Sequence, residues 1–211
     1  MNVPIFCVVG MSGAGKSTYL HHLMNDERIK LSGVSELMYH TTRNKRYPDE
    51  SGYHFVSFHE FERCKHAAVE YRLYEKYDSN NNEKSVVAYY TTYGDVYSIP
   101  PSTKALVCAT SVDQLLSYYK TFSNVYVIDI SVELKVRLDR LLARATDDNG
   151  KYIEHEVMEI FRRCQEERSE YGRLASSDIP EEKYLRIDNT EDDSIDSNLT
   201  RIVEFIYDKT F

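Results

Sequence analysis

The chain has 211 residues, 42% of them hydrophobic, and a formal net charge of −8. That length and apolar content suit one domain around one substantial core. No apolar run approaches the roughly 18 residues that cross a membrane, and no basic region leads into a long apolar segment at the N-terminus, so neither a membrane span nor a secretory leader is expected. The acidic balance argues against a protein that grips long nucleic acid through a basic face.

The apolar run Ile5–Val9 reads as a buried strand. It ends in Gly10 and passes through Met11, Ser12, Gly13, Ala14, Gly15, Lys16, Ser17 and Thr18, which fits G-x-x-x-x-G-K-[ST] in full. This is a phosphate-binding P-loop. Gly10, Gly13 and Gly15 let the backbone curl so that its N–H groups point inward. Lys16 is placed to reach the β and γ phosphates and Ser17 to hold Mg²⁺. A helix starting near Lys16 aims its positive end at the anion. The residues from Gly10 to Thr18, Ser12 and Ala14 included, are therefore the expected cradle for ATP with its magnesium.

Thr18–Met24 reads as a helix and residues 34–39 as a short strand. Between Tyr39 and Val56, Arg43 and Arg46 lie three residues apart with Tyr53 nearby, a set able to make several charge-assisted bonds to one phosphate. The segment Thr41-Thr42-Arg43-x-x-Arg46, Glu50, Gly52-Tyr53-His54-Phe55-Val56 resembles the monophosphate-binding segment of guanylate kinases, and the resemblance extends over roughly residues 4–188. It implies that Arg43, Arg46 and Tyr53 meet the acceptor phosphate. It also implies that Glu70, in Val69-Glu70-Tyr71-Arg72, accepts hydrogen bonds from the guanine edge, for which an acceptor-only carboxylate is suited. A Y-Y-G-[ST] motif of the family falls within residues 87–96 in one of two registers, Tyr90-Thr91-Thr92 or Tyr93-Gly94-Asp95. Tyr90, Thr92 and Tyr93 are the substrate-binding candidates from it.

Asp78–Lys84 reads as a polar turn. Ala105–Ala109 reads as a buried strand by its continuous apolar run and Val125–Ile130 as another buried strand, with Ser111 a cap for the helix between them. Asp129 reads either as a turn-starting helix cap or as a carboxylate behind the magnesium. Val132–Leu142 reads as a helix with Leu134, Leu138, Leu141 and Leu142 inward. Arg140-Leu-Leu-Ala-Arg144-Ala-Thr-Asp147 resembles the family's lid, and Arg163, on a helix Glu154–Tyr171, stands where the family has its last phosphate- or adenine-side arginine. With Lys16 and Arg43, the resemblance makes Arg140, Arg144 and Arg163 the catalytic set. Tyr184–Asp188 reads as a final strand and Ile195–Tyr207 as a closing helix.

Strands alternating with helices give an α/β fold. The resemblance implies a P-loop NTPase-type parallel sheet flanked by helices, with core 1–38, 102–142 and 154–211, a monophosphate-binding insert 39–101 and a lid 143–153. Two positions depart from the family. Tyr39 stands in place of a serine that contacts guanine, and Cys108-Ala109-Thr110 in place of an Asp-containing stretch on the base and metal side. Cys7, Cys64, Cys108 and Cys164 form no C-x-x-C pair, which fits reduced thiols in a cytoplasmic protein. The expectation is a nucleoside monophosphate kinase using ATP and Mg²⁺ on GMP or dGMP. It would work on small nucleotides alone, away from membranes and long nucleic acid, as a monomer or homodimer. Two alternatives stay open: the same fold acting on another (d)NMP or a ribose bisphosphate, and a non-catalytic domain that binds partners through its arginines.

Overall fold

In the computed structural model, which describes residues 3–45, 48, 52–78, 83–147, 149–190 and 195–211, two sheets organise the chain. The five-stranded sheet runs in the order β2 (Val34–Glu36), β7 (Ala105–Ala109), β1 (Ile5–Val9), β8 (Val125–Ser131) and β9 (Tyr184–Asp188). The four-stranded sheet runs β4 (Tyr53–Phe55), β3 (Tyr39–Thr41), β6 (Glu83–Thr92) and β5 (Ala68–Asp78). The described helices are α1 (Lys16–Asn25), α2 (Glu27–Ser32), α3 (Phe58–Cys64), α4 (Tyr93–Tyr97), α5 (Val112–Thr121), α6 (Leu134–Arg144), α7 (Glu154–Ala175) and α8 (Ile195–Thr210).

β1 pairs in parallel with β7 and β8, and β8 with β9. Parallel neighbours need crossover connections, and helices that cover both faces of such a sheet explain why its central strands β1 and β7 are apolar throughout rather than alternating. All five residues of β1 are buried. On one side Phe6, Val8, Ile128 and Ile130 pack against Leu20 and Leu23 of α1 and Ile202, Val203 and Ile206 of α8. α5 buries Val112, Leu115 and Tyr118. Its start is fixed by a capping box in which the Ser111 hydroxyl accepts from the Gln114 N–H and Gln114 bonds back. Ser57 with Glu60 and Thr92 with Asp95 start α3 and α4 the same way.

The chain divides into two compact units, Glu36–Thr103 and Asn2–Ser35 with Lys104–Phe211. The P-loop belongs to the second, and Arg43, Tyr53 and Glu70 to the first. No described helix is long and apolar enough to cross a membrane.

Four sequence expectations are corrected. Residues 34–39 are not one strand: β2 ends at Glu36 in the larger sheet and β3 begins at Tyr39 in the smaller. The turn expected at Asp78–Lys84 does not include Asp78, Glu83 or Lys84, which belong to β5 and β6; residues 79–82 lie outside the described ones. Leu134 does not face inward but is 61% exposed, while Arg137 on the same helix is buried. Asp129 caps no helix. It lies within β8, 4% exposed, and accepts from the hydroxyls of Tyr171 at 3.0 Å and Tyr184 at 2.7 Å. Burial and the adjacent Asp129 charge push both phenols well above their ordinary pKa, so they remain hydrogen-bond donors.

Candidate active site

The P-loop joins β1 to α1 and has the geometry of an anion cradle. Gly13 and Gly15 take positive φ, +84° and +104°. A Cβ on Gly13 would stand 3.1 Å from the Arg137 carbonyl oxygen, and one on Gly15 would stand 2.8 Å from Asn189 Nδ2, so neither position admits a side chain without movement. Gly15 is the N-cap of α1 and supplies no side-chain bond, and the first turn carries no acidic residue. The first N–H groups of the helix are thus left for a ligand. Asn189, just past β9, braces the loop from behind by donating to the Ala14 carbonyl at 2.8 Å and accepting from the Tyr19 hydroxyl at 3.1 Å.

Lys16 folds back over this loop, its ammonium donating to the Gly10 carbonyl at 2.6 Å and reaching the Met11 carbonyl at 3.5 Å. Burial lowers its pKa. Glu167 and Glu170 oppose that effect, and the nearby charges of Arg144 and Arg163 reinforce it. Three of the expected catalytic arginines bear on the P-loop, one by contact and two by charge. Arg140 donates to the carbonyls of Gly13 and Asn189, each at 3.4 Å. Arg144 and Arg163 act on Lys16 through their charge, and Arg163 also pairs with Glu159 at 2.7 Å. Ser17 is exposed in the first turn of α1. The glycine cradle, the lysine and this hydroxyl fit a triphosphate carrying Mg²⁺, with phosphate oxygens as the main metal ligands. At the end of β7, Thr110 is buried and bonds Gln114 at 3.2 Å.

A residue that the sequence reading passed over occupies the loop. Glu167, on α7, accepts from the Ser12 N–H at 2.7 Å and from the Ser12 hydroxyl through the same oxygen. Its second oxygen pairs at 3.4 Å with Arg137, which is 5% exposed. Arg137 Nη2 also reaches Cys164 Sγ at 3.6 Å. A signal existed in the sequence. Arg137 lies three residues after Leu134 and four before Leu141, inside an expected apolar stripe, where a charge must find an acid.

The second set of candidates lies on the four-stranded sheet. Directly paired residues of adjacent strands share a face, and β6 pairs Tyr89 with Arg72 and Thr41, Tyr90 with Tyr71 and His40, and Thr91 with Glu70. One face therefore carries Tyr39, Thr41, Tyr53, Glu70, Arg72, Tyr89 and Thr91. Tyr53 and Tyr89 meet edge to face at 5.9 Å, and the Arg43 guanidinium sits 4.9 Å above the Tyr53 ring. The other face carries Tyr90, which is 2% exposed, stacks on His40 at 4.8 Å and packs with Phe61.

The structure thus brings Arg43, Tyr53 and Glu70 onto one surface and leaves Tyr90, Thr92 and Tyr93 off it. Tyr90 is packed in the small core. Thr92 is spent on the capping box of α4, and Tyr93 is the exposed first residue of that helix. Neither of the two registers considered for this motif fits the surface. Tyr89 and Thr91, offset by one residue, are the tyrosine and hydroxyl that face Glu70 and Tyr53. The repeat Tyr-Tyr-Thr-Thr-Tyr hides this offset, because only strand pairing selects among its members. Arg46 lies outside the described residues.

No family model matches the chain, and no curated protein matches it in sequence. Among solved structures, the guanylate kinase from Anaplasma phagocytophilum is similar over 99% of this chain and 87% of its own, with a TM-score of 0.62 and 15% sequence identity. The fold is accordingly that of a guanylate kinase, a P-loop parallel sheet flanked by helices.

Proposed function

We propose that this chain is an ATP- and Mg²⁺-dependent nucleoside monophosphate kinase that phosphorylates GMP or dGMP to the diphosphate. One observation carries the reading. A chain with this fold keeps the P-loop glycines and Lys16, with Arg140 on the Gly13 carbonyl and the charges of Arg144 and Arg163 acting on Lys16. The separate unit presents Arg43, Tyr53 and Glu70 on one sheet face.

Phosphoryl transfer asks little covalent chemistry of a protein. It needs the acceptor oxygen in line, water excluded and positive charge over the transferring group. In this reading the P-loop N–H groups and Lys16 hold the β and γ phosphates of ATP. Ser17 would help hold Mg²⁺, which would supply positive charge to those phosphates. Arg43 and Arg46 hold the acceptor phosphate, with the Tyr53 hydroxyl beside them. Glu70 accepts from N1–H and the 2-amino group of guanine, and Arg140, Arg144 and Arg163 stabilise charge on the transferring group. Insert 39–101 and segment 143–153 are the parts that close. The enzyme would be cytoplasmic, a monomer or homodimer.

A second reading changes the acceptor to another (d)NMP. It is favoured by Tyr39, a bulky residue that the strand register sets opposite Tyr53 and so on the Glu70 face. A coupled ADP-release assay over GMP, dGMP, AMP, dUMP, dTMP and a ribose bisphosphate tests both. Turnover with a purine carrying a 2-amino group supports the first reading, and turnover confined to another acceptor supports the second. No turnover with any acceptor, in protein that binds nucleotide, would reject both and leave a non-catalytic domain.

A further inference from the structure

We propose that Glu167 is an internal anion of the P-loop, displaced when a nucleotide binds, and that Arg137 is a phosphate-binding arginine that Glu167 holds in reserve. The proposal rests on the reading of the P-loop as a nucleotide site. Three observations support it. First, the Ser12 N–H belongs to the loop whose donors a phosphate would use, and the Glu167 carboxylate takes both that N–H, at 2.7 Å, and the Ser12 hydroxyl. Second, Arg137 is 5% exposed, yet its contacts are long, 3.4 Å to Glu167 and 3.6 Å to the Cys164 sulfur. A buried guanidinium held this loosely gains from an anion with more oxygens, because charge-assisted bonds are strongest when short and paired. Third, Glu167 and Glu170 are the anions that support the Lys16 charge while that ammonium rests on the Gly10 carbonyl. A triphosphate offers the same cations greater charge and better geometry.

The exchange moves hydrogen bonds and breaks no covalent bond. The phosphate chain takes the Ser12 donors and the Arg137 fork, and the Glu167 carboxylate swings from the loop into solvent. Nucleotide affinity is then lowered by the bonds that must first be given up. The same bonds spare the empty protein an unpaired buried arginine, which is strongly destabilising.

The test measures MgADP and MgATP binding to the full chain by calorimetry, with the unfolding midpoint of the empty protein measured alongside. The variants are Glu167→Ala, Glu167→Gln, Lys16→Met and the pair Arg137→Met with Glu167→Ala. Glu167→Ala is expected to bind MgATP about ten-fold tighter, the scale of one charge-assisted bond no longer broken, while its empty form unfolds more easily. A purely structural role for Glu167 would instead weaken binding and folding together. The paired variant is expected to lose the gained affinity, since Arg137 is then absent from the phosphate. Should Glu167→Ala fail to fold, Glu167→Gln, which keeps an acceptor for Ser12, carries the same sign with a smaller effect. Binding that Lys16→Met abolishes but neither Glu167 variant strengthens would overturn the exchange and leave the nucleotide site standing. Failure of every variant to bind, or binding indifferent to Lys16→Met, would overturn the P-loop reading and the exchange with it.

Discussion

Replacing Lys16 by methionine separates the cost of carrying this ammonium from its use. In the empty protein the lysine gains a charged hydrogen bond to the Gly10 carbonyl at 2.6 Å, worth about 1.5–3 kcal/mol. Against this stands the effective cost of taking an ammonium out of water, on the order of several kcal/mol. The lowered pKa shows that burial outweighs the support of Glu167 and Glu170. Methionine keeps the stem and its packing, so Lys16→Met should leave the empty protein within about 1 kcal/mol of the parent. The sign with pH is fixed by the same shift. Because the folded pKa lies below the unfolded value of 10.5, the unfolded chain binds this proton more tightly. The destabilisation is therefore complete below the folded pKa and is relieved as pH rises from there through 10.5, a gain the variant should lack. With nucleotide the order reverses. At 100 times its dissociation constant MgATP should stabilise the parent by about 2.7 kcal/mol and the variant far less, and turnover should fall on the order of 10²–10³. Chemical denaturation with and without MgATP, beside initial rates, measures all of this. An unchanged kcat in folded Lys16→Met, or a loss of several kcal/mol in the empty form, would refute the reasoning.

Arg43→Ala should raise KM for the monophosphate by about one to two decades, the worth of a charged fork to one phosphate, and leave KM for ATP nearly unchanged; initial rates with each substrate varied in turn decide. Glu70→Gln should erode a preference for GMP over AMP, because adenine offers an acceptor at N1 and no 2-amino donor, whereas an intact preference would remove Glu70 from the base. Tyr89→Phe should raise KM for the monophosphate while Tyr90→Phe should not, since only the former shares a face with Tyr53; the reverse result would restore the register built on Tyr90. Burial pushes the Asp95 carboxyl up, but the His40 ring and the Thr92 N–H and hydroxyl outweigh it and hold it at about 2. Asp95 therefore stabilises its unit fully above the unfolded value of 3.8 and loses that contribution as pH falls toward 2. Asp95→Asn should be less stable at pH 7, by about 1 kcal/mol for the weakened cap, and the difference should close only as pH falls through about 2.

The P-loop was legible in the sequence because its geometry restricts residue type at nearly every position, glycine where φ is positive and lysine where charge is needed. The covered strands were legible for a similar reason: Ile5–Val9 and Ala105–Ala109 are apolar without a break, and Val125–Ile130 is broken only by Asp129. The sheet face that carries Arg43, Tyr53 and Glu70 was less so. Tyr89, Tyr90 and Tyr93 are chemically equivalent until β6 is paired with β5, and pairing is a property of two segments at once. Asp129 misled for a related reason. Its partners Tyr171 and Tyr184 lie 42 and 55 residues away, so nothing local distinguishes a buried acceptor from a helix cap. Arg137 and Glu167, 30 residues apart, were each visible as a charge but not as a pair.

The pairing of β5 with β6 slips once, between Ala68 and Glu70, where Val69 is inserted against a single step of its partner. Everything beyond that point keeps the phase it sets: Glu70, Arg72 and Tyr74 on the side of Tyr89, Tyr71 and Leu73 on the other. Deleting Val69 would close the bulge with Ala68 and Glu70 still opposite Thr92 and Thr91, because the side each residue takes follows from its partner on β6 and not from the number of residues before it. Val69 is therefore slack in the strand: the face that carries Glu70, Arg72 and Tyr74 should keep its membership with or without it.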